Sequence, residues 1–181
     1  MSPQQHEGFQ AESYDGKIYL FVGSESDDLG RIIILNTEDL TWAPGEYINS
    51  PLARYGYTAT LTKDGLIIYI GGVYRDGSYA NMNEIPIYDT IEDNWSNSIM
   101  NANEEIIPKG RQMHSATLSE YDTIIVYGGY YYEVSSNPEL IILDMSSQIF
   151  NWIQPTVTNG LIEPRWGHTS TYIYSQMIVA F

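Results

Sequence analysis

A repeat of fixed length is the feature of this sequence that most restricts its fold. Three landmarks recur in the same order, namely an arginine, a pair of glycines and a tryptophan, and each recurs after 57 residues. The pairs are Arg54 and Arg111, Gly71 and Gly128, and Trp95 and Trp152. A period of about 50 residues that stays in register is typical of a chain built from stacked copies of one structural unit, such as the blades of a propeller.

Two further copies flank these two. A degraded first copy has a single glycine followed by Ser24, then Trp42, and a last copy opens at Arg165 and continues only as far as Phe181. We therefore divide the chain into units at approximately residues 6–46, 54–99 and 111–156, with a partial unit at 165–181. The length of 181 residues suits one domain made of these units.

Each copy predicts four short β-strands joined by turns. Its segments are rich in β-branched and aromatic residues and are bounded by Gly, Asp, Asn and Pro. Short connections such as Asp64-Gly65 and Asp122-Thr123 predict hairpins, so that sequential strands pair antiparallel. The second strand, at 66–70 or 123–127, is apolar at nearly every position, which favours cover on both faces. The predicted fold is all-β, with four-stranded antiparallel blades that form an incomplete ring.

The ordered landmarks resemble the kelch repeat. In that family an Arg and a His open the first strand, a diglycine ends the second, a Tyr lies in the third and a Trp in the fourth. The copy at 111–156 matches with Arg111, His114, Gly128, Gly129 and Trp152. The copy at 54–99 matches with Arg54, Tyr57, Gly71, Gly72, Tyr88 and Trp95. The resemblance implies a β-propeller that binds partners without catalysis, with the arginines at the start of the innermost strands around one mouth of a channel.

His114, His168 and Tyr57 occupy one position of the repeat, which predicts a buried ring with a hydrogen-bonding tip and not a metal ligand. The arginines are expected to form ion pairs between blades, with ligand contact as the alternative. No metal and no cofactor is predicted.

Strand alternation places the loops after each second strand, and the links between blades, on one face. Tyr, Trp and Arg, which are enriched at interface hot spots, occur in these loops. The predicted partner-binding residues are Tyr74, Arg75, Asp76, Tyr79, Tyr130, Tyr131, Tyr132, Arg54, Arg111, Arg165 and Trp166. The alternative is that the aromatic side chains only cover neighbouring blades.

Charge and composition exclude several classes of function. The formal net charge of −15 repels nucleic acid and anionic membrane surfaces, and no apolar run long enough to insert in a membrane is found. The chain has no cysteine, which leaves the compartment open, with the cytoplasm favoured. An alternative function, a propeller oxidase resembling galactose oxidase, is disfavoured because that enzyme needs a cysteine crosslinked to a tyrosine.

An incomplete ring leaves blade faces uncovered. A bare face of ~400 Å² would cost on the order of 10 kcal/mol at roughly 25 cal/mol per Å². Self-association, most simply as a homodimer, is therefore predicted to close or cover the ring, and the blades of a longer chain are the alternative cover.

Overall fold

The structure is a computed structural model that describes residues 10–23, 28–99, 107–158 and 165–180. The described residues form β-strands and turns and contain no helix. The strands in chain order are β1 (Ala11–Tyr14), β2 (Lys17–Gly23), β3 (Gly30–Asn36), β4 (Trp42–Pro44), β5 (Arg54–Tyr55), β6 (Thr58–Leu61), β7 (Leu66–Ile70), β8 (Val73–Tyr74), β9 (Glu84–Asp89), β10 (Asn94–Ile99), β11 (Ser115–Leu118), β12 (Thr123–Tyr127), β13 (Tyr130–Tyr131), β14 (Val134–Ser135), β15 (Leu140–Asp144), β16 (Asn151–Ile153), β17 (Thr169–Ile173) and β18 (Gln176–Ala180).

Three four-stranded antiparallel sheets and one hairpin follow each other along the chain. We call them sheet 1 (β1, β2, β3, β4), sheet 2 (β6, β7, β9, β10), sheet 3 (β11, β12, β15, β16) and hairpin 4 (β17, β18). Within each sheet the strands lie side by side in chain order. The first strands of successive units are neighbours, β1 beside β6, β6 beside β11 and β11 beside β17. The all-β prediction with four-stranded antiparallel blades in an incomplete ring is confirmed, and no sheet closes into a barrel.

Tight turns connect the first and second strands of each unit. The turn of sheet 1 is Asp15-Gly16, and both residues have positive φ. In sheet 2 the turn ends at Gly65, whose φ is also positive. These left-handed backbone angles are why Asp, Gly and similar residues occupy the turns. All these turns lie at the end of the units opposite to the loops that follow the second strands.

The core consists of two layers, one on each side of sheet 2. Ile67 and Tyr69 point toward sheet 1, where they pack in a cluster rich in aromatic rings. Ile68 and Ile70 point toward sheet 3, where the cluster is mainly aliphatic. All four side chains have 0–1% of their surface exposed. Because successive residues of a strand point to opposite faces, an uninterrupted apolar strand is what a sheet covered on both faces requires.

The arginines lie before the innermost strands and not within them, contrary to the sequence prediction. Arg54 belongs to β5, which pairs with β8, and the innermost strand β6 begins only at Thr58. In the next units the innermost strands begin at Ser115 and Thr169. Gly56 has a φ of +65°, so the chain turns between Arg54 and β6 and the two segments cannot form one strand.

Candidate functional site

The diglycines join each blade to the next. The backbone N–H of Gly72 donates to the carbonyl of Arg111, and that of Gly129 to the carbonyl of Arg165, both at 2.8 Å. A Cβ placed on Gly128 would lie 2.2 Å from the Arg165 carbonyl oxygen. Glycine is therefore required here both by its positive φ and by the close approach of the next blade.

One ring per blade completes this joint. The hydroxyl of Tyr57 donates to the carbonyl of Phe21 at 2.8 Å. His114 Nε2 shares a hydrogen bond with Thr58 Oγ1 at 2.9 Å, and His168 Nε2 shares one with Ser115 Oγ at 2.8 Å. Every one of these contacts crosses from one unit to the preceding one. The prediction of a buried ring with a hydrogen-bonding tip is confirmed.

Both histidines are held neutral by their surroundings. Burial lowers the pKa of His114 well below its usual value, and the nearby charge of Arg111 acts in the same direction. Burial, followed by the charge of Arg165, also lowers the pKa of His168. Among the described residues, no three His, Asp or Glu side chains are grouped so that they could hold a metal ion.

Two of the predicted partner-binding arginines lie beneath the surface. Arg111 is fully buried, and its guanidinium donates to the carbonyls of Gly128 at 3.1 Å and Pro138 at 2.8 Å. Arg54 is 8% exposed and donates to the carbonyl of Gly71 at 3.3 Å. These acceptors are backbone carbonyls of the same unit, where the sequence predicted carboxylates of a neighbouring blade. Both arginines therefore position the loop that follows the diglycine.

Three predicted tyrosines meet in one cluster that joins the loops of sheets 2 and 3. The ring of Tyr79 lies 4.7 Å from that of Tyr131 and 5.1 Å from that of Tyr132, measured between centroids. The Tyr79 hydroxyl accepts hydrogen bonds from the backbone N–H of Tyr132 and from Gln112 Nε2, both at 3.0 Å. Lys109 Nζ lies 5.9 Å from the centroid of the Tyr131 ring. We call Tyr79, Tyr131, Tyr132 and Lys109 the lateral patch.

A second group of half-exposed side chains lies where the first strands of the units begin. The backbone N–H of Met113 donates to the carbonyl of Gly56, and that of Gly167 donates to the carbonyl of Met113, both at 2.9 Å. Tyr55 precedes Gly56 and Trp166 precedes Gly167, so these bonds bring the backbones of both residues close to the backbone of Met113, one on each side.

Tyr130 links this group to the lateral patch. Its ring centroid lies 5.9 Å from that of Trp166. Burial, and then the neighbouring hydroxyls of Tyr79 and Tyr55, raise the pKa of Tyr130. We call Tyr55, Met113, Tyr130 and Trp166 the axial patch, and the two patches together the aromatic surface. Trp166 is 55%, Tyr55 47% and Met113 39% exposed, and Tyr132 in the lateral patch is 60% exposed.

The remaining predicted residues flank this surface. The ring of Tyr74 lies under the Arg54 guanidinium, with 5.4 Å between the guanidinium carbon and the ring centroid. Asp76 Oδ1 accepts hydrogen bonds from the backbone N–H and the hydroxyl of Ser78, which lower its pKa. Arg75 is exposed. The structure therefore brings Tyr79, Tyr130, Tyr131, Tyr132 and Trp166 together, while Asp76 stabilises its own turn.

Sequence reasoning missed Tyr55, Lys109, Gln112 and Met113. The sequence carried a usable signal for Tyr55, Gln112 and Met113. Tyr55 and Gln112 follow the repeat arginine, as the predicted Trp166 does, and Met113 stands where the other two copies have glycine. Comparison of these corresponding positions would have grouped them. Lys109 precedes the repeat and carries no such signal.

The fold and the surface define an all-β protein of propeller-like blades with an aromatic surface on its loop-rich face. No protein-family model matches the chain. Among solved structures it is similar to YjhT, with a TM-score of 0.70 and 12% sequence identity over 95% of this chain. The match covers 57% of YjhT, so this chain spans little more than half of that protein's length. At this identity the similarity shows the fold alone. Among the described residues there is no helix whose length and apolar character would let it span a bilayer.

Proposed function

We propose that this protein is a non-catalytic interaction module of the kelch-repeat kind, which binds a partner through the aromatic surface. The observation that carries the proposal is the continuity of that surface. Three successive units, starting near Tyr55, Met113 and Trp166, each contribute to it, and Tyr130 joins its two patches. Scattered exposed aromatic residues are ordinary, whereas a contiguous group on the loop-rich face is typical of a binding surface.

The surface is also well suited to recognition because its rings are already held in place. The Tyr79 hydroxyl fixes the loop of Tyr132 through a backbone hydrogen bond, and Gln112 fixes Tyr79 from the next blade. Rigid aromatic side chains supply contact area at a low entropic cost, which is why Tyr and Trp dominate interface hot spots. The arginines beneath support the loops and do not themselves contact the partner in this proposal.

The unit boundaries near 6–46, 54–99, 111–156 and 165–181 belong to the same proposal. The structure describes sheets within each range, while residues 6–9, 24–27 and 181 lie outside the described part of the chain. Limited proteolysis that cuts first between these ranges would support the boundaries, since paired strands are cleaved less readily than exposed chain.

Homodimer formation stays a prediction. Its support is the face of hairpin 4 turned away from sheet 3, where Ile173 is 44% and Ile178 49% exposed. Sedimentation equilibrium at micromolar concentration tests it. A dimer that dissociates when Ile178 is replaced by Lys is expected, and a well-folded monomer for the unchanged chain would contradict it.

A differential capture experiment tests the proposed function. The chain and its Tyr132→Ala, Trp166→Ala and Tyr121→Ala variants are each immobilised and exposed to the same extract. Tyr121 is 71% exposed but lies in a tight turn on the opposite face, so its replacement is the matched control. We expect proteins that the unchanged chain and the Tyr121→Ala variant retain and that the other two variants lose. If the Tyr132→Ala and Trp166→Ala variants retain the same proteins as the unchanged chain, the proposal is contradicted. Stoichiometric copper or iron in the purified protein would also contradict it.

A further inference from the structure

We propose that Gln112 couples the axial patch to the lateral patch, so that a single partner contacts both patches at once and its binding depends on Gln112. The inference rests on the proposed function and deepens it, because it assigns the two patches to one binding site. Only 8% of the surface of Gln112 is exposed. It therefore acts on the partner through other side chains, as a positioning residue.

Gln112 is hydrogen-bonded to a member of each patch. Its backbone N–H donates to the carbonyl of Tyr130, and its carbonyl accepts from the N–H of Tyr130, both at 3.1 Å. Its Nε2 donates to the Tyr79 hydroxyl at 3.0 Å, and the same hydroxyl accepts from the N–H of Tyr132 at 3.0 Å. One residue therefore fixes the backbone of Tyr130 in the axial patch and the hydroxyl of Tyr79 in the lateral patch.

The surroundings of Gln112 leave it little freedom to move. A Cβ placed on Gly56 would lie 3.0 Å from Gln112 Cβ and 3.1 Å from its Oε1, so the side chain packs closely against that glycine. A Cβ placed on Gly129 would lie 2.8 Å from the Gln112 carbonyl oxygen. Because backbone lies against it on both sides, the amide is held beside Tyr79 before any partner binds.

The blade fold does not require an amide at this position. The corresponding residues of the neighbouring copies are Tyr55 and Trp166, whose side chains are 47% and 55% exposed. A polar side chain is costly to bury unless it is hydrogen-bonded, and the bond to Tyr79 meets that condition here. Since the other blades form without an amide, we assign Gln112 to the junction of the two patches and not to the fold of the blade.

The lateral patch is a solid cluster, so its position relative to the axial patch decides what can bind. The ring centroids of Tyr79, Tyr131 and Tyr132 lie 4.5–5.1 Å apart, which are contact distances. A partner must therefore meet these rings from outside. Contacts with this cluster and with Trp166 in the other patch strengthen each other only if the spacing of the two patches is fixed in advance.

Amide hydrogen exchange tests the coupling in the absence of a partner. Gln112→Met keeps the length of the side chain and removes its bond to Tyr79. We expect the N–H of Tyr132, which donates to the Tyr79 hydroxyl, to exchange about threefold faster in this variant. The N–H of Gly129, which donates to the next blade, should exchange at its original rate. Equal acceleration of both amides would show general loosening and would overturn the inference, as would unchanged exchange of Tyr132.

Binding is measured with the extract proteins that the unchanged chain retains and that Trp166→Ala and Tyr132→Ala both lose. We expect Gln112→Met to lower their retention about fivefold. Gln112→Glu should restore most of it, because a carboxyl group can still form a hydrogen bond with the Tyr79 hydroxyl. Tyr79→Phe should also lower retention, and adding Gln112→Met to it should cause no further loss, because the same bond is already absent.

Tyr121→Ala, on the opposite face, is the matched control and should retain these proteins. If Trp166→Ala and Tyr132→Ala lose different proteins, the patches bind separate partners and the inference is overturned. It is also overturned if Gln112→Glu retains as little as Gln112→Met, or if the double variant retains less than Tyr79→Phe. Rescue by Glu would not be expected if Gln112 only filled space.

The same results separate this inference from the proposed function. If retention depends on Tyr132 and Trp166 but not on Gln112, the coupling is wrong and the interaction module stands. If retention depends on none of these three residues, both proposals fail.

Discussion

Gly128→Ala should destabilise the protein through the joint between sheet 3 and hairpin 4. The added methyl group would lie 2.2 Å from the Arg165 carbonyl oxygen and 2.8 Å from His168 Cε1. The oxygen is a backbone atom, so it cannot rotate away as a flexible side chain would. Either the next unit moves or the strand end is distorted.

The magnitude follows from what must give way. An alanine at the φ of +68° costs about 1 kcal/mol. Moving the next unit weakens the 2.8 Å bond from the Gly129 N–H to the Arg165 carbonyl and the 2.8 Å bond between Ser115 and His168. Each such bond contributes about 1 kcal/mol. The expected total loss is therefore about 3 kcal/mol.

Gly77→Ala is the matched control. Gly77 has a φ of +84°, but a Cβ there would meet no atom within 4 Å. It therefore isolates the backbone cost of about 1 kcal/mol from the cost of the clash. Urea unfolding of both variants measures the difference through the shift of the midpoint at constant slope. If Gly128→Ala loses no more stability than Gly77→Ala, the blades are not joined as described.

Three further predictions concern single side chains. Trp152→Phe removes the 2.8 Å bond from the indole Nε1 to the Met82 carbonyl and should cost about 1–2 kcal/mol, whereas Trp95→Phe, whose Nε1 has no acceptor among the described residues, should cost less in the same urea assay. Burial raises the pKa of Glu12 to about 7. The Glu12 carboxyl therefore contributes stability below pH 4.5, and this contribution is lost as the pH rises through 7. The free energy of unfolding of Glu12→Gln, whose side chain does not ionise, should increasingly exceed that of the unchanged chain over this interval. The difference should be on the order of 1 kcal/mol, because the carboxyl is only half-buried. The pKa of His114 is lowered on folding, so its contribution is present above pH 6.5 and is lost as the pH falls; replacement by Gln should flatten this acid limb in thermal melts.

The blades could be predicted from the sequence because their causes are local and repeated. The apolar run at 66–70, the Asp64-Gly65 turn and the diglycine each specify one feature of a strand or turn, and all are confirmed. The segment at Arg54 was misplaced because its β-forming neighbours conceal the turn at Gly56. Glycine at positions 56 and 167 is a signal for a positive φ, but Met113 at the same position of the copy between them hides the pattern.

The aromatic surface could be predicted only as a set of residues on one face. The approach of Tyr79 to Tyr131 depends on how two loops from different units fold toward each other, and no periodicity of the sequence fixes that approach. The burial of Arg111 was missed for a related reason. Its acceptors are backbone carbonyls, including that of Pro138, which lies 27 residues later in the chain. Every residue has such a carbonyl, so the sequence does not show which ones accept these bonds.

The contacts that join the blades and the side chains of the loops are separate, which leaves the aromatic surface free for the proposed binding. The bonds from the Gly72 and Gly129 N–H groups to the next blade use backbone atoms, so they make no demand on the side chains of the loops. Beside them, Tyr57 and His114 fill equivalent positions with different chemistry, so even the ring is constrained only in shape and in its polar tip. Stability is thus supplied beneath the loops. The exposed fraction of Trp166 contributes little to stability, and the proposed binding function assigns it a role in contacting a partner.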